Sequence, residues 1–326
     1  MNIDAHHHFM PEPVIRYIQN HSEEMGADVI EEKGARFLAT ASGARVPITP
    51  GACDNEARLE QMKQMRLDKA VLSIGPNCFF YWVDTAHALN AARLANDWAA
   101  RSVQDYPGYF YGVATIPMQD AAAALKELRR AREELNLRAV EISPVIMDKH
   151  LDDESFFPIY EYCADKGVLL CLHPYVSEDR PEYRRYYNAN LTGAPLQTAA
   201  GLNHLLFGGV FERFPALNVL AAHGGGFFPY QLGRMMHGYK VRQEPKARGA
   251  KSPELYLKRL YFDTITHWTP SLQFLIDTFG ADHVMLGTDY PYDMGDFAPA
   301  DSLDRLRLTA GQRDMITHLN AQRLFG

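Results

Sequence analysis

The sequence contains few cysteines and no long apolar run, and both shortages exclude whole classes of protein. Its 326 residues include four cysteines, none in a CxxC pair, which is too few for a disulfide-based fold. Apolar residues surround these cysteines, so we expect buried free thiols and a cytoplasmic, reducing compartment. No stretch of about 18 apolar residues occurs, which excludes a membrane-spanning helix. We also expect no signal peptide, because the segment MNIDAHHHF lacks a basic region and a long apolar region.

An excess of positive charge is also missing. The sequence has 33 Lys and Arg residues against 40 Asp and Glu residues, a formal net charge of −7, and no run of five like charges. We therefore expect no nucleic-acid partner and no binding to an anionic membrane. A small carboxylic acid could still be held by a few local arginines or lysines, or by a metal ion.

Short β-rich segments alternate with amphipathic segments along the whole chain. Amphipathic helices are predicted over residues 56–67, 85–103 and 121–135. The eight segments predicted as strands are residues 2–6, 69–74, 109–116, 138–143, 168–173, 218–223, 260–265 and 283–289. This alternation predicts an α/β fold of the (β/α)8 TIM-barrel type. An open, doubly wound sheet is the alternative, but its glycine-rich first turn is absent, since the first turn reads HHHFMPEP.

One segment interrupts this rhythm. Residues 20–52 alternate in polarity and carry glycines at turn spacing, so we expect a small β-insertion after the first strand, capping the barrel mouth. Residues 175–195, rich in tyrosine and arginine, are predicted to form a long loop after the fifth strand. No repeat or linker divides the chain, and residues 1–326 are expected to form one domain.

Candidate metal ligands occur at the ends of the predicted strands. His6 and His8 are two residues apart on a strand, so both imidazoles face the same side and can chelate a metal ion such as Zn²⁺. A chance histidine run or a tag remnant is the alternative for this pair. His173 ends an apolar strand before a proline, and His223 ends another before three glycines. Asp289 follows the last strand, where an unpaired buried carboxylate would be costly.

Each of these residues also has an ordinary explanation. His173 could be a satisfied core histidine, His223 an incidental part of a glycine turn, and Asp289 a helix-capping or turn residue. Taken together, however, all of them fall at the carboxyl ends of barrel strands, which is the face where such barrels build their active sites. The sequence therefore predicts a metal-centred active site on this face.

Four motifs support a family resemblance: IDAHHHFMP, GGVFERFP, AHGGGFFPYQLGR and LGTDYPYDMG. In this order they resemble the amidohydrolase superfamily, specifically the branch with 2-amino-3-carboxymuconate-6-semialdehyde decarboxylase and the hydroxyaromatic acid decarboxylases. The resemblance implies that His223 acts on a metal-bound water or on the substrate. It also implies that Arg234 binds a substrate carboxylate in the site of a neighbouring subunit. The metal ligands implied by the resemblance are His6, His8, His173 and Asp289.

The sequence departs from this family pattern where substrate is held. Arg45 matches the family's second carboxylate-binding arginine only if one residue is inserted, and the tryptophan that follows that arginine is missing. A tryptophan of the loop after strand five is replaced by Tyr186 or Tyr187, and we take Tyr187 as the substrate-binding candidate. The segment RAVEISP offers no lysine to bridge two metals, which favours one ion.

These observations predict a metal-dependent, nonoxidative decarboxylase of an unsaturated or hydroxylated aromatic or pyridine carboxylic acid, acting in aromatic catabolism. One divalent ion is expected, Zn²⁺ by preference, with Mn²⁺, Co²⁺ or Fe²⁺ as alternatives. Either His223 or Asp289 would donate the proton that replaces CO2. A homodimer is expected from the role of Arg234, and the alternative is that Arg234 is a surface helix residue that makes an ordinary ion pair. The alternatives are a hydrolase or hydratase that uses a metal-bound hydroxide and, more remotely, a non-catalytic metal-binding barrel.

Overall fold

The computed structural model describes residues 1–40, 43–176 and 181–326. Within this part of the chain, three sheets are formed by the following strands: β1 (Ile3–Phe9), β2 (Ala27–Glu32), β3 (Ala35–Thr40), β4 (Arg45–Pro47), β5 (Lys69–Ile74), β6 (Phe110–Thr115), β7 (Ala139–Ile142), β8 (Val145–Ile146), β9 (Lys149–His150), β10 (Leu169–Leu172), β11 (Val219–Ala221), β12 (Leu260–Asp263) and β13 (Val284–Met285).

Eight of these strands form a parallel sheet in the order β1-β5-β6-β7-β10-β11-β12-β13. Its two ends meet, because the amides of Ala5 and His8 donate to the carbonyls of Leu286 and Tyr290, each at 2.7 Å. Seven of the eight predicted segments contain one of these strands, and the first, residues 2–6, overlaps β1, which continues to Phe9. The predicted (β/α)8 TIM-type barrel is confirmed.

Helices surround the barrel, and their starts follow local sequence signals. Asp84 and Asp120 precede α5 and α6, and the side chain of each accepts a hydrogen bond from an amide of the first helical turn. The α-helices of the described chain are α1 (Glu12–Asn20), α2 (Ser22–Met25), α3 (Pro50–Cys53), α4 (Asn55–Gln64), α5 (Thr85–Asp105), α6 (Ala121–Glu133), α7 (Phe157–Lys166), α8 (Ala194–Phe207), α9 (Val210–Arg213), α10 (Phe228–Val241), α11 (Thr269–Phe279), α12 (Pro299–Asp304), α13 (Ala310–Asp314) and α14 (Asn320–Phe325). None of them is long and apolar enough to cross a bilayer.

The two-residue period of the strands divides the core into two layers. On β5, Ala70 and Leu72 pack against the surrounding helices, whereas Val71 packs inside the barrel. Strand β7 does the same, with Val140 outside and Ala139 inside. Polar residues that continue an inward-facing series are therefore carried into the barrel interior.

The insertion after β1 has the predicted β character. Strands β2, β3 and β4 form a separate antiparallel sheet, in which Val29 pairs with Leu38 and Leu38 pairs with Val46. Leu38 and Val46 are buried and belong to the same apolar core cluster as Ala70 and Leu72 of β5. The sheet is thus anchored to the domain by its apolar face.

The last barrel strand is much shorter than predicted. Residues 283–289 were expected to be extended, but β13 ends at Met285. Leu286 donates its amide to the carbonyl of Ile316, and Asp289 has a φ of 58° in the left-handed region. The chain therefore turns inward after β13, and this turn directs Asp289 to the barrel mouth.

Candidate metal centre and active site

The first strand supplies two imidazoles to the barrel mouth. His6 and His8 face the same side of β1, with their Nε2 atoms 2.9 Å apart. His7 faces the other side, where its Nδ1 lies 2.8 Å from Asp4 Oδ2 and its ring stacks on Tyr290. The alternation predicted from the sequence is therefore present.

His173 and Asp289 complete a buried cluster with these two imidazoles. Asp289 Oδ1 lies 3.1 Å from His8 Nε2, 3.4 Å from His6 Nε2 and 3.9 Å from His173 Nε2. One ligand atom from each of the four residues lies within 4.8 Å of all the others. Three nitrogens and one carboxylate oxygen at this spacing could hold a single metal ion.

The far nitrogen of each imidazole has its own partner. His6 Nδ1 lies 2.7 Å from Asp263 Oδ2, and His8 Nδ1 lies 3.1 Å from Ser73 Oγ. His173 Nδ1 lies 2.9 Å from the carbonyl oxygen of Pro174. A hydrogen on each Nδ1 leaves the Nε2 lone pairs free, and all three of these Nε2 atoms belong to the cluster.

Two buried polar atoms of the cluster lack hydrogen bonds within the described chain, and a bound metal ion would explain their burial. His173 Nε2 and Asp289 Oδ1 are buried and have no hydrogen-bond partner of acceptable geometry among the described residues. Buried polar atoms without a partner are rare in folded proteins and costly. A cation among these donors would satisfy both atoms, so the residues present fit a metal ion.

Charge and burial favour the metal-binding forms of Asp289, His8 and His173. Burial alone would raise the pKa of Asp289, but the surrounding imidazoles hold that pKa well below its ordinary value. Burial lowers the pKa of His173 to about 3 and also lowers the pKa of His8. At neutral pH the carboxylate is therefore charged and these two imidazoles are neutral, as coordination requires. His6 differs: burial alone would lower its pKa, but the carboxylates of Asp263 and Asp289 hold that pKa well above its ordinary value, so His6 must release a proton when a metal binds.

His223 lies beside this cluster and outside it. Its Nε2 is 3.4 Å from Asp289 Oδ2, and its side chain is 19% exposed. Its φ is 56°, a left-handed conformation that is uncommon for histidine. The carboxylate of Asp263 stabilises this turn by accepting hydrogen bonds from the amides of His223 and Gly224, at 2.7 and 2.8 Å.

Asp263 is a functional-site residue that the sequence analysis missed. It is fully buried at the end of β12, and it both orients His6 and holds the turn of His223. A weaker signal was present, because Asp263 follows the apolar residues LYF inside the predicted strand 260–265, where an unpaired buried carboxylate would be costly. The criterion that selected Asp289, a position at the end of a predicted strand, missed Asp263 because β12 ends two residues earlier than predicted.

A pocket of about 430 Å³ opens beside the cluster, and His223 and Asp289 both line it. Among the described residues its lining includes no arginine or lysine; Asn190, Thr266, His267 and Ser271 supply the other polar side chains. The rest of the lining is mainly apolar or aromatic and includes Leu191, Phe227, Tyr230, Phe274, Leu275 and Met294. A largely apolar molecule with a polar end near Asp289 suits this composition.

The structure does not bring the predicted substrate-binding residues together with the cluster. Arg45 forms an ion pair with Glu32 inside the inserted sheet. Arg234 is exposed on α10 and makes no ion pair or hydrogen bond with any described residue. Tyr187 donates a hydrogen bond to Asp293 Oδ1 at 3.3 Å. None of the three is among the described residues that line the pocket, so their roles stay predictions.

Comparison with known proteins gives the family. The sequence model of the Amidohydrolase family matches residues 3–326. This chain belongs to the amidohydrolase family. The resemblance inferred from the four motifs is confirmed.

Three relatives of this amidohydrolase illustrate the range of reactions around it. The 2-amino-3-carboxymuconate-6-semialdehyde decarboxylase of Dictyostelium discoideum is 32% identical over 310 residues, covering 94% of this chain and 86% of that protein. The 2-keto-4-carboxy-3-hexenedioate hydratase of a Sphingobium species is 25% identical over 352 residues, covering 100% and 96%. The 5-carboxyvanillate decarboxylase of Novosphingobium aromaticivorans, crystallised with manganese and 4-hydroxy-3-methoxy-5-nitrobenzoic acid, has a TM-score of 0.85, 25% identity, and coverage of 100% and 96%.

Proposed function

We propose that this amidohydrolase is a metal-dependent, nonoxidative decarboxylase of an unsaturated or hydroxylated aromatic or pyridine carboxylic acid. The observation that carries the proposal is the buried cluster of three imidazoles and Asp289, which borders an apolar pocket. Two of the three relatives described above are decarboxylases, and one of them binds a hydroxylated aromatic acid. The proposed place of the reaction is the catabolism of aromatic compounds.

One divalent ion would be held by His6, His8, His173 and Asp289. We propose Zn²⁺, because three imidazoles and one carboxylate suit it, with Mn²⁺, Co²⁺ and Fe²⁺ as the alternatives. Manganese is the ion in the 5-carboxyvanillate decarboxylase structure. When bound, the ion supplies Lewis acidity that orients a carboxylate and an adjacent hydroxyl group.

The residues of this chain would bind the ring and move one proton. When the bond between the ring carbon and the carboxylate breaks, its electron pair stays on carbon until a proton takes the place of CO2. His223 Nε2 borders the pocket beside Asp289, so either group could deliver that proton. The apolar side chains of the pocket would hold the ring and exclude water from the reacting carbon.

Hydration of a double bond, or hydrolysis, is the second candidate function. It is favoured by the hydratase relative, which matches the whole chain. The same cluster could serve this chemistry, because metal centres of this kind also activate water. A non-catalytic metal-binding barrel is the remaining alternative.

The test is a substrate panel of hydroxybenzoates, hydroxypicolinates and unsaturated keto acids, assayed with the metal-loaded protein. We expect CO2 release, followed by a coupled assay, from at least one aromatic acid, and loss of that activity after chelator treatment. Consumption of a keto acid without CO2 release would identify a hydratase instead. No reaction with any class, from a protein shown to hold its metal, would favour the non-catalytic alternative.

We also propose a homodimer in which Arg234 enters the pocket of the partner subunit. Two observations support this proposal: Arg234 is exposed without a described partner, and the described lining of the pocket lacks a cation. A guanidinium binds a carboxylate through two parallel hydrogen bonds. Exposed aromatic side chains near Arg234 on the sequence, Phe227 and Tyr230, provide apolar area for such an interface.

Arg234→Ala should lower kcat/KM by about 10- to 100-fold, as expected for the loss of hydrogen bonds to a charged group. Lys240→Ala, an exposed cation on the same helix, is the control and should change little. Mixing Arg234→Ala chains with inactive His173→Ala chains should restore part of the activity, because one site of each mixed dimer is then complete. Absence of recovery after verified subunit exchange would contradict the shared site.

The chain organisation predicted above is kept as a proposal. Residues 1–326 would act as a single domain, with residues 20–52 capping the barrel. All four cysteines are buried free thiols, which supports the proposal of a reducing, cytoplasmic compartment.

A further inference from the structure

A buried carboxylic acid lies inside the barrel, near the four proposed metal ligands. Glu141 is on β7, where it continues the inward-facing series that begins with Ala139, and it is only 5% exposed. The apolar surroundings raise the pKa of Glu141 to about 8. Carboxylic acids are rarely buried inside a barrel without a role or a partner. Nothing in the proposed reaction uses Glu141 directly.

Glu141 and Ser73 border the same small cavity, which has a volume of about 10 Å³, about enough for one water molecule. Glu141 Oε2 is buried, and no residue in the described part of the chain forms a hydrogen bond with it. The Ser73 side chain interacts with Glu141 from the neighbouring wall of this cavity. Ser73 Oγ also lies 3.1 Å from His8 Nδ1. Ser73 is therefore placed between the carboxyl group of Glu141 and one of the three clustered imidazoles.

The hydrogens available on His8 and Ser73 determine which group donates and which accepts in each of these hydrogen bonds. His8 can offer its Nε2 lone pair to a metal only if Nδ1 carries the hydrogen, and this hydrogen must then be donated to Ser73 Oγ. The hydroxyl hydrogen of Ser73 consequently needs another acceptor. Glu141 provides one, either directly or through one water in the shared cavity. This assignment holds whether Glu141 is charged or neutral, because both forms keep an acceptor oxygen.

We propose that Glu141, acting through Ser73, is a positioning residue that holds His8 in the tautomer whose Nε2 faces the metal. The inference rests on the metal centre of the proposed function. His8 would then have a fixed acceptor for its Nδ1 hydrogen, as His6 has in Asp263 and His173 has in the carbonyl of Pro174. Each imidazole then has a fixed orientation before the metal binds, which is how outer hydrogen bonds raise metal affinity.

The experiment measures the affinity of the whole protein for Zn²⁺ by competition with a chromogenic chelator, so no substrate or turnover is needed. Ser73→Ala and Glu141→Leu should each weaken binding by about 10- to 100-fold, the usual effect of removing an outer partner. The double variant should bind no more weakly than the weaker single variant, because both changes break the same chain. Glu141→Gln keeps an acceptor oxygen and should bind within about threefold of the wild type.

Cys171→Ala is the matched control. Cys171 lines the same cavity, and removing its thiol enlarges the cavity without removing any of the contacts named here, so Zn²⁺ affinity should be unchanged. Long-range ¹⁵N–¹H spectra of the histidines in Ser73→Ala give a second reading. We expect the metal-free variant to contain a mixture of His8 tautomers, and the metal-free wild type to contain only the form with hydrogen on Nδ1.

Unchanged Zn²⁺ affinity in Ser73→Ala, additive losses in the double variant, or an unchanged His8 tautomer would each overturn the proposal. Ser73→Ala and Glu141→Gln are small changes, so they remain readable if Glu141→Leu fails to fold. Failure of the proposed function gives a different result. In that case the protein would lack decarboxylase activity, or variants of the four proposed ligands would still bind the metal. The Zn²⁺ affinities of the Ser73 and Glu141 variants are measured without substrate, so they do not depend on that result.

Discussion

Asp289→Ala should remove both the metal and the activity. Asp289 is the single carboxylate of the cluster, and its Oδ1 lies within 3.9 Å of the Nε2 atoms of His6, His8 and His173. Without this negative charge, three neutral or positive imidazoles face one another in a buried site, and a divalent cation is no longer neutralised there. We expect the metal content, measured by elemental analysis after gel filtration, to fall from about one ion per chain to near zero.

His6→Ala should have the same effect for a different reason. It removes one of the three nitrogen ligands and also leaves the buried carboxylate of Asp263 without the imidazole that lies 2.7 Å away. Activity should fall to the background of the assay together with metal content. The variant should also unfold more easily than the wild type, because a buried charge is left unpaired.

Asp293→Ala is the control for both substitutions. It removes an exposed carboxylate four residues after Asp289 and leaves the three imidazoles of the cluster untouched. It should therefore keep a full complement of metal. Full metal occupancy in both Asp289→Ala and His6→Ala would contradict the ligand assignment, whatever their activity.

The parts of the site that follow from local rules could be predicted from the sequence. The two-residue period of a strand places His6 and His8 on one side and His7 on the other, and no long-range contact is needed to know this. The barrel then brings the carboxyl ends of its strands to a common face, which explains why His173 and Asp289 join them. Strand boundaries were less accurate, because β13 stops where the tertiary hydrogen bond from Leu286 to Ile316 begins.

The supporting hydrogen bonds could not be predicted in the same way. His6 and Asp263 are separated by 257 residues, and His8 and Ser73 by 65, so these pairs exist only because particular strands lie near one another in the closed barrel. The segment RAVEISP, which contains Glu141, was considered in the sequence analysis only because it has no lysine. The significance of Glu141 depends on its inward direction and on the cavity that it shares with Ser73, which are properties of the packed barrel.

Contacts between subunits cannot be predicted from the packing of a single chain. Arg234 projects from α10 without a described partner, and Arg45 is ion-paired with Glu32 in the inserted sheet. Arg234 is in the second turn of α10, which begins at Phe228 after the turn of His223, so a rise of about 1.5 Å per residue along this helix carries Arg234 away from that turn. The role proposed for Arg234 therefore requires a second copy of the chain.

His223→Ala should keep the metal and lower kcat by about 10²- to 10⁴-fold, the range typical for the loss of a general acid or base. The imidazole of His223 borders the pocket, and its Nε2 is 3.4 Å from Asp289 Oδ2, whereas the ion pairs of Asp289 with the other three imidazoles are made by Oδ1. We therefore expect His223 to transfer a proton rather than to bind the metal. Metal content and single-turnover CO2 release, measured on the same preparation, separate these two roles.

His223→Asn is the matched variant, because the backbone of this residue is left-handed, with a φ of 56°. Asparagine adopts this conformation more readily than alanine, so it preserves the turn held by Asp263 while removing the group that transfers the proton. If both variants lose turnover and keep the metal, the lost step is proton transfer and not the folding of the turn. If His223→Asn turns over like the wild type, His223 has no part in the reaction, and Asp289 becomes the proton donor; if both variants lose metal, His223 belongs among the ligands.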